Sequence, residues 1–215
     1  MAKIKQGILG GFSGKVANVV GTSWKGRAVM KSQPLSVANP RTTGQVEQRT
    51  KFSKVAELAS KVLTTFIQPV ENPVSGDVSG YNKFVKDNKA AFTSAGIITR
   101  ANFVCGGGKL PNIAISTSAA SVANQKITLG WSNPESLSPL RLTDKMYAAA
   151  FTREGVYLGV SSGVVTRNDE ALEISLADGA PAIVATTPVF VLYACVSADG
   201  RDVSVLTAST GLTPA

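Results

Sequence analysis

Residues 39–70 limit what this chain can fold into more than any other stretch. Asn39-Pro40-Arg41-Thr42 opens it, and apolar residues follow at Phe52, Val55, Ala56, Ala59, Val62, Leu63, Phe66, Ile67 and Val70. Steps of three and four keep one face of a 3.6-residue helix apolar. Lys54, Glu57, Ser60, Lys61, Thr64 and Thr65 fall between them and suit a solvated face. Pro40 disfavours helical geometry at Asn39, and Thr42 with Gln45 three residues later has the capping-box pattern. Pro69 lacks an amide hydrogen, so the helix is expected to run from Thr43 to near Gln68. At ~1.5 Å per residue it would be about 39 Å long. Full burial of its apolar side chains would contribute roughly 15–25 kcal/mol. Ordering its backbone costs on the order of 26–50 kcal/mol before hydrogen bonds are counted. Such a helix needs a partner face, in this chain or on another subunit.

After a turn-rich loop from Glu71 to Gly80, Tyr81, Phe84, Val85 and Phe92 mark the stripe of a second helix, giving a helical hairpin over 39–96. From Ile97 the pattern turns to strands. Ile97–Val104 alternates up to Gly106-Gly107-Gly108. Asn112–Ser116, Lys126–Trp131, Lys145–Thr152, Val156–Val160, Leu172–Leu176, Val189–Val196 and Val203–Thr207 follow, separated by turn residues. Val189–Val196 is almost wholly apolar, as a central strand should be, and Ser197–Arg201 should fold Val203–Leu206 back on it as a hairpin. The expectation is an α+β chain whose residues 97–215 form an antiparallel β-sandwich. Trp131 in an early strand and Tyr193 in a penultimate one suit an immunoglobulin- or fibronectin-like module.

Residues 1–38 form a third region, a basic glycine-rich β-arm. Two strand-like runs, Lys15–Val20 and Arg27–Lys31, flank Gly21–Gly26, which can close them into a hairpin. Residues 1–61 hold 11 basic and two acidic residues, whereas residues 62–215 hold 11 basic and 12 acidic. The whole formal charge of +8 therefore lies in the first 61 residues. Gly10, Gly11, Phe12, Trp24, Lys25, Arg27 and Arg41 are the candidate partner-binding residues. With Lys15, Lys31 and Arg49, the three cations among them make a phosphate-binding footprint.

Catalytic chemistry finds little support. Histidine is absent, which removes the commonest general base and metal ligand. Gly14-Lys15 is followed by Val16 and preceded five positions earlier by Leu9, so a phosphate-binding loop fails twice. No nucleophile elbow is present. No catalytic residue, cofactor, metal or small-molecule substrate is expected. Cys105 and Cys195 read as two buried free thiols. Glycine and polar residues interrupt the basic N-terminus, so neither a signal peptide nor a membrane span is expected.

Met1–Ser32, Val37–Arg49 and Ser197–Gly200 carry a further signal. The run AKIKQGILGGFSGKV, the SWKG that follows, the segment NPRT-x-x-Q-x-x-x-R and a closing SADG after a strand resemble a family of Bacteroidota proteins of unknown function. The resemblance implies small structural or phage-related proteins and supplies no catalytic residues. The leading expectation is a non-enzymatic assembly protein, located in a virion or the cytoplasm. It would be a homo-oligomer or pack on neighbouring structural subunits. The alternative is a weak, sequence-independent nucleic-acid-binding module.

Overall fold

A computed structural model describes residues 3–4, 11–36, 38–111, 113–134, 137–206 and 210–215. The chain divides into two compact units, Met1–Thr42 and Thr43–Ala215.

The first unit is an antiparallel sheet in the order β1-β2-β3-β4, comprising Lys3–Ile4, Phe12–Val16, Val19–Trp24 and Arg27–Ser32. It differs from the expected hairpin. The run Lys15–Val20 is broken by a turn at Ala17-Asn18, where Ala17 has φ 46°. Gly21–Trp24, expected in the connection, is strand. A β-branched residue sits on each side of the two-residue turn, Val16 before it and Val19 after it, and alternation by itself does not reveal the turn.

In the second unit, α1 spans Thr43–Lys61. Pro69 does not end the helical run. Val62 O accepts from both Phe66 N and Ile67 N at 3.0 Å, giving a wider turn over Leu63–Ile67. Pro69 then falls in the first turn of α2, Gln68–Glu71, where its missing amide is tolerated. Val55, Leu58, Ala59, Val62, Phe66, Ile67 and Val70 are buried, while Phe52 is 53% exposed. Among the described residues of this unit, the long helix buries side chains from Val55 onward. Next comes α3, Gly80–Asn88, with the Ser79 hydroxyl accepting from Asn82 N at 3.3 Å.

Residues 97–104 do not form the expected strand. Ile98 makes one bridge to Phe92, and Arg100–Asn102 is a single 3₁₀ turn. That turn brings Phe103 into the core, where its ring packs edge-on to Phe84, Phe92 and Phe151, with centroids 6.4, 6.3 and 5.6 Å away. Burial of one aromatic overrides local alternation here. The next strand, β5, is Cys105–Gly106.

Seven strands follow in two antiparallel sheets. One has the order β10-β7-β6, from Ala171–Ser175, Lys126–Trp131 and Ile115–Ser121. The other is β13-β11-β8-β9, from Thr210–Leu212, Val189–Val196, Lys145–Thr152 and Tyr157–Thr166. Backbone bonds join their margins, from Ala177 N to Leu158 O at 2.8 Å and between Ala120 and Ala215 at 3.0 Å. The hairpin expected after β11 forms only in part. Val196 bridges Val203, and then β12, Val205–Leu206, pairs with β5. Asn112 and Thr207, expected in strands, lie outside the described residues. All eight residues of β11 are buried, as expected of a strand covered on both faces. Helices and sheets share one hydrophobic core, so the boundary expected at residue 96 separates no domains.

Candidate functional site

The geometry of the N-terminal sheet follows from two glycine-dependent features. Lys25 and Gly26 have φ of 48° and 78°, the conformation that closes a two-residue hairpin. Gly21 lies under Phe12, and a side chain there would collide with the Phe12 ring and carbonyl. With the turn fixed, Trp24 pairs with Arg27, Thr22 with Val29, Gly21 with Met30, Val20 with Lys31 and Val19 with Ser32. On the other side of β3, Gly14 pairs with Gly21, Lys15 with Val20 and Val16 with Val19.

Paired residues share a face and neighbours along a strand alternate, so this register sorts the sheet into two unlike surfaces. One carries Phe12, Val16, Val19, Ala28 and Met30 and, among the described residues, no charged one. Val16 is 53% and Met30 70% exposed on it. The other carries Lys15, Lys31, Arg27, Trp24 and Val29, with Trp24 63% exposed. Lys25 Nζ sits 5.0 Å from the Trp24 ring centroid, within cation–π range. Residues 1–42 contain seven basic and no acidic residues.

Of the expected partner-binding residues, the sheet brings together Gly11, Phe12, Trp24, Lys25 and Arg27, but on different faces. Gly11 approaches Ala28 so closely that a Cβ would overlap it. Arg41 is exposed, beyond the last strand of the sheet. Gly10 lies outside the described residues. Arg49 belongs to α1 and to the other unit. Sequence reading missed Val16, Val19 and Met30 as a set. Placing the turns at 17–18 and 25–26 would have found them.

Two buried ionic clusters serve the architecture of the second unit. Lys83 Nζ donates to Glu71 Oε2 at 2.8 Å, Asp87 Oδ2 at 2.9 Å and Gly106 O at 2.7 Å, which uses all three of its protons. Gly106 N donates to Glu71 Oε1 at 2.9 Å. Burial pushes the Glu71 carboxyl above its ordinary range, against the opposing pull of Lys83 and the Gly106 amide. Burial by itself would lower the Lys83 ammonium, but its bonds to Glu71 and Asp87 outweigh that and raise it. The cluster ties α2 and α3 to β5. The second cluster centres on Arg167. Its amide donates to Asp144 O at 2.8 Å, and its carbonyl accepts from Trp131 Nε1 and Asn133 Nδ2 at 2.9 Å each. Asp144 Oδ2 is buried with no hydrogen-bond partner among the described residues, 3.9 Å from an Arg141 nitrogen. Burial raises its carboxyl too.

Both cysteines are buried and unpaired. Burial raises the Cys105 thiol well above its usual value and pushes Cys195 up to about 12. Because the thiolate is the reactive form, neither should react with a disulfide reagent at pH 8 until urea unfolds the chain. Stoichiometric labelling of the native protein would refute this. Among the described residues, no group of three or more His, Cys, Asp or Glu side chains is placed to hold a metal ion. An apolar pocket of about 260 Å³ lies between Val156, Leu158, Pro181, Ile183 and Val189, with Glu154 as the one ionisable group in its lining. No helix among the described residues is long and apolar enough to cross a membrane.

A family model described as a family of unknown function (DUF6266) matches residues 11–207. No curated protein matches the sequence. Among solved structures, the adhesin domain of Epf from Streptococcus pyogenes is similar at 13% identity and a TM-score of 0.34. The match covers 48% of this chain and 32% of that one. That TM-score is too low to define a fold.

Proposed function

From the premise that the chain belongs to the DUF6266 family of unknown function, we propose that it is a non-enzymatic structural protein, a building block of an oligomeric particle or filament. One observation carries the reading. The N-terminal unit is a single layer with an uncharged apolar face open to solvent at Val16, Val19 and Met30. Domains bury such a face between at least two layers, and exposed apolar patches mark interaction surfaces. The occupant we assign is the same face of a second copy. Two uncharged faces stacked about 10 Å apart would complete a sandwich, with both basic faces pointing outward. Such a contact is self-complementary and closes on a two-fold axis.

The second unit supplies the body of the particle. Its two antiparallel sheets, in the strand orders β10-β7-β6 and β13-β11-β8-β9, support an immunoglobulin- or fibronectin-like sandwich with the helices as an added layer. Native mass measurement at micromolar concentration tests the assembly. The wild-type chain should be dimeric or larger, and the double variant Val16→Lys, Met30→Lys should be monomeric with an unchanged melting temperature for the second unit. A monomeric wild type, or a variant that still assembles, defeats the proposal. Negative-stain imaging of the native material would then show which particle it builds.

A further inference from the structure

The opposite face of the N-terminal sheet has a chemistry that self-association does not use. We propose that Lys15, Lys25, Arg27 and Lys31, grouped around Trp24, form a binding site for single-stranded nucleic acid that neutralises phosphates and stacks one base.

Register supplies the geometry. Lys15, Val20 and Lys31 form one row across β2, β3 and β4. The two lysines therefore stand about 10 Å apart, two strand spacings. Arg27 lies four residues from Lys31 on the same strand and the same face, about 13 Å away. These separations suit alternate phosphates of an extended strand. Trp24 pairs with Arg27 at one end of the patch. Lys25, in the turn, holds its ammonium against the Trp24 ring.

Charge decides the class of ligand. None of these four cations makes an ion pair among the described residues. Residues 1–42 have no acidic side chain to repel a polyanion. The exposed tryptophan decides between forms of that polyanion. A duplex hides its base faces, whereas a single strand offers every base for stacking, without sequence preference. An anionic membrane would engage the cations too, but it has no planar group to place on Trp24. The site does not depend on the assembly reading, because the residues proposed for self-association lie on the other face.

The 215-residue chain can be titrated with a fluorescein-labelled oligo-dT of about 20 nucleotides, the matched duplex and phosphatidylserine vesicles. Four neutralised phosphates predict a slope of about −2.8 for log affinity against log salt, or about a fifty-fold loss between 50 and 200 mM. Lys31→Ala should flatten that slope by about 0.7. Trp24→Ala should weaken oligo-dT binding by about 5- to 150-fold with the slope unchanged, and Trp24→Phe should recover most of it. Lys86→Ala, an exposed lysine of α3, should change nothing. The other tryptophan, Trp131, is buried, so quenching of the exposed indole by oligo-dT reports Trp24 directly. Salt-independent binding, duplex or vesicle binding as tight as oligo-dT, no effect of Trp24→Ala, or no binding at 25 mM salt would each overturn the site. If assembly fails while oligo-dT still binds, the first proposal falls and this one stands.

Discussion

Replacing Lys83 by methionine should cost the second unit about 3–5 kcal/mol at pH 7, among the largest effects available to a surface-proximal residue. Methionine keeps most of the side-chain volume but leaves Glu71 buried, with its counterion gone. At about 2–4 °C per kcal/mol for a unit of this size, the melting temperature should fall by roughly 6–20 °C. The pH dependence identifies the cause. The Glu71 carboxyl already titrates above its ordinary value, so in the window above that ordinary value the folded state binds more protons than the unfolded state. Stabilisation from the neutral acid is full below the unfolded pKa and is lost as pH rises through the folded one. The penalty of Lys83→Met should therefore be greatest at pH 7 and shrink towards pH 4.5, as Glu71 takes up its proton. Adding Glu71→Gln should restore much of the loss at pH 7. Urea titrations at the two pH values decide the matter, and equal penalties would show that lost packing, not the stranded carboxylate, is responsible.

Phe103→Ala should cost a further class of stability, about 3–5 kcal/mol, through the cavity it opens. Phe103 is fully buried, and its ring touches Phe84 of α3, Phe92 beyond it and Phe151 of β8. It is thus the common neighbour of the helical layer and the larger sheet. Removing it should also loosen their coupling, so amides of α3 should exchange hydrogen faster than those of β11. A void lined by three aromatic rings should stay dry and admit benzene, and saturating benzene should raise the melting temperature of the variant but not of wild type. A loss below 1 kcal/mol, with uniform exchange, would mean that the layers do not depend on this contact.

The strands that sequence reading located best were those whose surroundings impose one pattern from end to end. Lys126–Trp131, Lys145–Thr152 and Val189–Val196 begin and end as expected. The first alternates because one face is buried, and the third is apolar because both are. Failures fell where a distant contact outweighed local pattern. Ile97–Val104 alternates, yet the core takes Phe103 through a 3₁₀ turn. Pro69 reads as a stop, yet a wider turn lets the helical run pass it. Phe52 lies on the apolar stripe, yet it stays about half exposed. The partner surface was legible as composition but not as geometry. Its basic and apolar residues are visible in the sequence, but their separation onto two faces depends on two turns, one of which places a positive φ on Ala17. The Glu71–Lys83–Gly106 cluster left no local signal, because its members are far apart in the chain and meet only through the fold.

The doubly covered strand β11 has a consequence for how the protein is made. Val-Phe-Val-Leu-Tyr-Ala-Cys-Val has no charge, no proline and no glycine, the composition that stacks into cross-β fibres when left uncovered. Its partner β8 is fully synthesised 36 residues earlier, and the helices that share its core earlier still. Synthesis from the N-terminus therefore delivers the most aggregation-prone segment of this unit to a nearly complete receptor, which shortens the time that it spends bare beside the ribosome. A circular permutation that moved β11 ahead of the helices would keep every native contact and lose that protection.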